Sequence, residues 1–501
     1  MTEKTMQALK KILGEVHDLD TTYGLLAWDQ QTYMPPGGAT DRSFKLATLA
    51  KLSHNTFTSK KVGDLISKLE GDINDHEADS DEYCLIKVAR RNYDKSTRVP
   101  ANWVSEFARV TSVGHAIWEK ARKENNFGLF KPSLERIVQM KREYANFFAP
   151  FDHIYDPLLD DFEPGMKTST VKAIFEQLRD SQVELIQRIE DAEQVADWFL
   201  YQDFDRQVQW DLGIEVIDRI GFDWMRGRLD TSTHPFTNGF SINDVRITTR
   251  IEPKIFTMAF FATLHECGHA LYELGIDQAL GRSPLAVGAS LALHESQSRL
   301  WENIVGRSFP FWQQLYPRVQ QLFPAQFAEI PLDAFYRGIN KVKPSLIRIE
   351  ADEATYNLHV MLRLELEIAM LEGDLAVGDL PGAWNELMQK YLNIVPGNDT
   401  DGILQDVHWS GGMIGYFPTY ALGNLVSVQL WDKIKSEISD VSEQIAQGQF
   451  EELLDWLRTN VHQHGAKYEP QELVKKITGT GINSQPYLDY LWDKYSKIYQ
   501  I

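Results

Sequence analysis

Apolar residues recur at three- and four-residue intervals along most of this chain, the pattern of helices that each bury one face. That spacing predicts helices over residues 9–33, 41–69 and 82–93, from Pro100 to about 125, and over 168–195. It returns over 290–307, 310–327, 346–371, 380–392, 420–440, 450–461 and 485–499. The first run ends in Met34-Pro35-Pro36-Gly37-Gly38, a definite break. Gly71-Asp72-Ile73-Asn74-Asp75-His76-Glu77 reads as an acidic turn whose charges face solvent. Two stretches depart from this rhythm. Between 239 and 251, Asp244-Val245-Arg246-Ile247-Thr248 alternates polar and apolar, which predicts a strand with Asp244, Arg246 and Thr248 on one face. From Ile255 to Leu264 the chain is apolar almost all round; Leu271, Tyr272 and Leu274 extend the segment to a stop at Gly275. The expected fold is mostly α: one large helical unit over 1–501, with a small sheet beside the apolar helix.

Inside that helix stands His265-Glu266-Cys267-Gly268-His269. Residues four apart share a helix face, so His265 and His269 can aim at one point. Two neutral imidazoles suit zinc, which at catalytic sites takes three protein ligands and leaves a fourth position for water. Glu266 is then placed as the base for that water. An all-round apolar helix belongs in a core, so these polar groups need partners. A metal would satisfy them; a pair of hydrogen-bonded core histidines is the alternative. Cys267 is out of phase with the histidines and reads as small core filler.

Composition narrows the partners. The formal charge of −20 argues against nucleic acid and anionic membrane. Two cysteines, Cys84 and Cys267, provide no disulfide framework. The opening Met1-Thr2-Glu3-Lys4 leads into an amphipathic pattern rather than the apolar core of a signal peptide, and no run approaches the ~20 apolar residues of a membrane span. The cytoplasm is the expected location.

A zinc site needs a third ligand. His294-Glu295-Ser296-Gln297 lies on the next predicted helix, where Glu295 or His294 could serve and Glu302, two turns on, competes. Arg348 and Asp352 fall at i and i+4 of the predicted helix 346–371. They form either a surface ion pair or, separately, a carboxylate-binding fork and a support for a metal-bound histidine. Gly402-Ile403-Leu404-Gln405-Asp406-Val407-His408-Trp409 is dense in hydrogen-bonding groups and runs into a glycine-rich loop, with His408 and Tyr420 as candidate oxyanion donors.

Six blocks taken together resemble the carboxypeptidase Taq family of metallocarboxypeptidases. They are H-P-F at 234–236, D-x-R-x-T at 244–248, H-E-x-x-H at 265–269, H-E-S-Q at 294–297, I-R-x-x-A-D at 347–352 and G-x-x-Q-D-x-H-W at 402–409. They stand in family order in a chain of similar length, and Trp28-Asp29-Gln30 adds to the match. The resemblance implies a mostly α-helical fold with a deep central groove, usually as a homodimer. It implies zinc on His265, His269 and Glu295, often replaceable by cobalt, with Glu266 as general base. It implies release of single residues from peptides with a free C-terminus, with broad specificity that disfavours proline. The remaining blocks, with His234, Asp244, Arg246, Thr248, Arg348, Gln405 and Asp406, would line the groove, recognise the substrate's C-terminal end and limit its length.

The expected reaction is hydrolysis of the C-terminal peptide bond, with Glu266 moving the proton, His408 or Tyr420 stabilising the oxyanion, and Arg348 or Arg246 binding the terminal carboxylate. An oligoendopeptidase with the same metal chemistry and a non-catalytic helical scaffold are the alternatives; an intact Glu266 speaks against the second.

Overall fold

The computed structural model describes residues 2–73 and 76–501, so Asn74 and Asp75 of the predicted acidic turn lie outside the described residues. Helices dominate, and among the described residues no helix is long and apolar enough to cross a membrane. The chain forms two compact units, each assembled from three stretches. One comprises Met1–Thr97, Asp197–Ile339 and Leu430–Gly479; the other comprises Arg98–Ala196, Asn340–Gln429 and Thr480–Ile501.

In the first unit the helix Thr2–Thr32 packs on Lys60–Gly71 and Asp81–Arg98 through Leu9, Leu13, Val62, Ile66, Leu69, Leu85 and Ile86. The single helix expected over 41–69 is two, Ala39–Phe57 and Lys60–Gly71. The cause is local. Thr58 Oγ1 bonds the carbonyl of His54 at 2.8 Å and Ser59 Oγ that of Thr56 at 2.9 Å, and Ser59 is extended. Side chains that satisfy the last carbonyls offer the backbone a way out of the helix.

The strand expected near 244 is real, Asp244–Thr249, and two more join it. With β1 as Gly227–Thr231, β2 as Thr237–Ser241 and β3 as Asp244–Thr249, the order is β1-β3-β2. β1 runs parallel to β3 and β2 antiparallel. Registration pairs Arg246 with Arg228 on one side and with Asn238 on the other, while Thr237 pairs with Ile247. β1 and β2 escape detection because Gly-Arg-Leu-Asp-Thr and Thr-Asn-Gly-Phe-Ser carry no clean alternation.

The helix with the two histidines runs Phe256–Gly275 and buries most of its length, as its apolar surface requires. Its first turn is locked by aromatic edges. Phe256 meets Phe327 with centroids 5.1 Å apart and Phe335 at 5.9 Å, and Trp312 meets Phe335 at 4.6 Å. Such pairs add roughly 0.5–1.5 kcal/mol each beyond the area they bury. The next helix, expected over 290–307, is α-helical over Leu291–Arg299 and then widens into a π turn over Leu300–Val305. The helix after it, expected over 310–327, stops at Leu322 before Pro324, whose missing N–H cannot continue the ladder.

In the second unit the helices Ala101–Lys123, Phe127–Asn146, Thr168–Asp191, Tyr356–Glu372, Leu380–Leu392 and Gln485–Tyr499 form the frame. The helix expected over 346–371 begins only at Tyr356, and Arg348–Glu350 is a short 3₁₀ turn. Asp352 makes the difference. Its carboxylate accepts the backbone N–H of Ala354 at 3.0 Å, Thr355 at 3.1 Å and Lys343 at 2.9 Å, which builds a turn ahead of the helix. Arg348 and Asp352 are therefore not an i, i+4 helix pair.

Candidate metal centre and the residues around it

His265 and His269 project from one face of their helix toward Glu295 on the next. The Nε2 atoms lie 3.6 and 3.4 Å from Glu295 Oε2. Ligands about 2.1 Å from a tetrahedral ion sit about 3.4 Å from one another, so the spacing fits zinc. The hydrogen bonds behind the rings agree. His265 Nδ1 meets Glu302 Oε2 at 2.9 Å and His269 Nδ1 meets the carbonyl of His294 at 3.0 Å. Each Nδ1 thus carries the proton, and each Nε2 turns a lone pair to the common point. Among the described residues these three form the group spaced to hold a metal ion.

The two helices can approach this closely because residue 268 is glycine. A Cβ there would stand 2.6 Å from the carbonyl oxygen of Gln297 and 2.7 Å from Ser298 Cα, both backbone atoms. Glu302, the rival third ligand, supports His265 instead. His294 is turned away: its Nε2 meets Glu273 Oε1 at 2.7 Å. Arg299, which sequence reasoning passed over, bonds Glu295 Oε1 at 2.7 Å and Glu302 Oε2 at 3.2 Å.

These contacts set the charge. Burial works to raise the Glu295 carboxyl, but the Arg299 guanidinium and His265 hold it well below the usual carboxylate range. Against the same burial, Arg299 and His265 hold Glu302 down to about 2. Burial and neighbouring His294 push His269 down to about 3, leaving a neutral imidazole. The site presents two imidazole nitrogens and a carboxylate oxygen, the donor set of a His₂Glu zinc site.

Glu266 lies beside this point, buried, and burial raises its carboxyl. Thr237 Oγ1 approaches Glu266 Oε2 at 2.6 Å and the Glu266 carbonyl at 3.1 Å. Thr237 stands in β2, a strand without sequence signature, so nothing in the sequence pointed to it.

Strand geometry separates Arg246 from Glu266. Thr237 and Ile247 share one face of the sheet; Asn238 and Arg246 share the other. On that other face Asn238 reaches the carbonyl of Gly24, while Arg246 stacks over Trp28 at 4.6 Å and Phe240 at 5.0 Å. Arg246 also pairs with Asp244 through two bonds of 2.9 Å. Thr248, expected on the polar face, is fully buried; its hydroxyl takes the N–H of Phe236 at 3.0 Å and meets Ser232 Oγ at 2.7 Å. It pins the His234-Pro235-Phe236 turn to β3, and His234 is exposed.

The second unit gathers the other expected residues. Asp406 sits between two guanidiniums: Arg348 Nη2 is 2.9 Å from Oδ1, and Arg363 Nε is 2.7 Å from Oδ2. Gln405 Oε1 accepts from the Arg348 backbone N–H and from Arg363 Nη2, each at 2.9 Å. Arg348 Nη1 donates to Tyr356 Oη at 2.7 Å, and its guanidinium lies 4.9 Å from the Tyr420 ring. His408 Nε2 is 3.4 Å from Tyr420 Oη. Burial and the two guanidiniums, against the pull of Asp406, push His408 down to about 4. Arg363 went unnoticed in sequence. Its signal is a charge inside the apolar run Val360-Met361-Leu362-Arg363-Leu364, where it is fully buried. Asp352, expected behind a metal-bound histidine, holds backbone N–H groups of its own unit. Support of the histidines falls to Glu302 and to His294.

The family model for carboxypeptidase Taq (M32) metallopeptidases matches residues 8–495. Thermostable carboxypeptidase 1 of Thermus thermophilus is 38% identical, with 99% of both chains covered. Carboxypeptidase 1 of Bacillus subtilis is 37% identical over 97% of each. The crystal structure of the M32 carboxypeptidase from Deinococcus radiodurans superposes with a TM-score of 0.96 at 38% identity, covering 99% of this chain and all of the other. Matched from end to end in sequence and in fold, the chain belongs to the carboxypeptidase Taq (M32) family and is a metallocarboxypeptidase.

Proposed function

We propose that the chain is a zinc carboxypeptidase working as a single catalytic domain over 1–501. It would release single residues from peptides with a free C-terminus, with broad specificity that disfavours proline. Cobalt would substitute for zinc. The observation that carries the reading is the convergence of His265, His269 and Glu295 beside a buried Glu266. When bound, the metal supplies Lewis-acid polarisation of the scissile carbonyl and an acidified water. Glu266 accepts the proton of the attacking water and returns it to the leaving amine. Its raised proton affinity suits that exchange, and Thr237 holds its carboxylate in place. His408 and Tyr420 are the oxyanion donors in this reading. Support comes from the neutral state of His408, which leaves an N–H to offer, and from the nearby phenol.

Arg348 is the receptor for the terminal carboxylate. Two buried guanidiniums share the single carboxylate of Asp406, so the cluster carries one uncompensated positive charge, which an incoming carboxylate would balance. Arg246 is the weaker candidate, because its guanidinium is already balanced by the two bonds to Asp244. A cytoplasmic homodimer belongs to the same proposal on the family resemblance, and the expected lack of nucleic-acid and membrane partners accords with the charge of −20.

The test is mass spectrometry of a mixed peptide set, half with blocked C-termini, incubated with and without a chelator. Stepwise loss of C-terminal residues from free peptides alone, abolished by chelation, is the expected result. Internal cuts in blocked peptides would replace it with the oligoendopeptidase reading.

A further inference from the structure

The two histidines of the metal site are supported differently. His265 Nδ1 rests directly on a carboxylate, Glu302, at 2.9 Å. His269 Nδ1 has two acceptors in reach: the carbonyl of His294 at 3.0 Å and, closer, His294 Nδ1 at 2.7 Å. The rings of His269 and His294 lie 4.5 Å apart at 27°. His294 Nδ1 can accept only if its own proton sits on Nε2, and Nε2 meets Glu273 Oε1 at 2.7 Å. The protonation pattern that lets His269 offer Nε2 to a metal is therefore the one that Glu273 imposes from the far end.

The place is built for this chain of contacts. A Cβ on Gly288 would stand 3.0 Å from Tyr272 Cε1 and 3.1 Å from His294 Cδ2, and one on Gly239 3.3 Å from Glu273 Oε2. Side chains at these two positions would press on the His294 ring and on the Glu273 carboxylate. Glu273 follows His269 by one helical turn, so a single helix sets the two ends of the chain and the next helix supplies its middle.

We infer that Glu273 and His294 are positioning residues for the metal: the Glu273 carboxylate, acting through the His294 imidazole, fixes the tautomer of His269 and increases its donor strength. This rests on the assignment of His269 as a ligand and says nothing of peptide chemistry. Removal of such outer partners typically lowers metal affinity about 10–100-fold.

The test is competition between metal-free full-length protein and a chelator for Zn²⁺, together with the visible spectrum of the Co²⁺-loaded protein. Glu273→Gln keeps the shape and removes the charge. It should raise the zinc dissociation constant about 10–100-fold and shift the Co²⁺ bands, with the unfolding midpoint of the metal-free protein unchanged. His294→Asn keeps an acceptor near the Nδ1 position and cuts the link to Glu273, so it should do the same. The double variant should be no worse than either single one, because both break the same chain. Additive losses would overturn the inference, as would unchanged affinity and spectrum in both single variants, which would leave the His294 carbonyl as the working partner. Wild-type protein that binds neither ion would take the metal-site reading down with it. Normal ion affinity with absent peptidase activity would overturn only the proposed reaction and leave this inference standing.

Discussion

Between Thr237 and Glu266 lies a single hydroxyl proton, and the carboxylate that receives it is the proposed base. Glu266→Gln should retain the metal and lose about 10²–10⁴ in kcat, the usual worth of a positioned base. Near-normal turnover would end that assignment. Thr237→Val removes the donor and keeps the volume. A buried hydrogen bond to a charged group is worth about 1.5–3 kcal/mol. We expect a comparable loss in kcat, little change in KM or bound zinc, and recovery in Thr237→Ser. If Val and Ser behave alike, the hydroxyl is packing. His408 makes a prediction on stability. Its value of about 4 in the folded protein lies below the ordinary 6.5, so between these limits the unfolded chain takes up a proton that the folded chain refuses. Stability from this group is complete above 6.5 and drains away as the pH falls toward 4. From pH 6.5 to 5 the wild type should lose about 2 kcal/mol more than His408→Gln in denaturant unfolding. Parallel curves would refute it.

At the scale of elements, the contact between Phe256–Gly275 and Leu291–Arg299 depends on the absence of one methyl group. Gly268→Ala would place carbon 2.6 Å from a carbonyl oxygen and 2.7 Å from a Cα, neither of which can swing aside. The helices must part, at a cost of about 1–3 kcal/mol. Because His269 is the next residue, zinc stoichiometry should fall as well; unchanged stability and metal content would show that the helices have room. The same pair marks how far the sequence could be read. Where one face stays apolar without a competing hydrogen bond, the spacing found the element, as in Leu380–Leu392 and Gln485–Tyr499, whose expected limits are the observed ones. Where Thr58, Ser59 or Asp352 offered the backbone another partner, the expected helix ran through a real break. The convergence of two histidines one turn apart was visible because both lie on a single helix. Thr237, Arg299 and Arg363 were not singled out. Their importance comes from what the fold sets against them, and β2, which carries Thr237, has no periodicity of its own.

For the molecule as a whole, a ligand that binds only the folded state adds RT ln(1 + [L]/Kd) to stability, about 2.7 kcal/mol at a hundredfold excess over Kd. Chelation should lower the unfolding midpoint and added zinc restore it; a midpoint indifferent to both would argue against a metal on these residues. No composition break marks the boundaries near 97, 196, 339, 429 and 479, where the chain passes between units. Each unit draws on three stretches, and that arrangement bears on synthesis. The first unit needs Leu430–Gly479, and within it Gln297, two residues past Glu295, bonds His462 at 2.9 Å, 165 positions downstream. At about 5–20 residues per second, His462 emerges roughly 8–33 s after the turn it supports. His265, His269 and Glu295 are thus on hand well before the segment that closes the wall behind them, and the nascent chain must stay soluble through that interval with the Tyr272–Gly275 end of the helix, which His462 covers, still open.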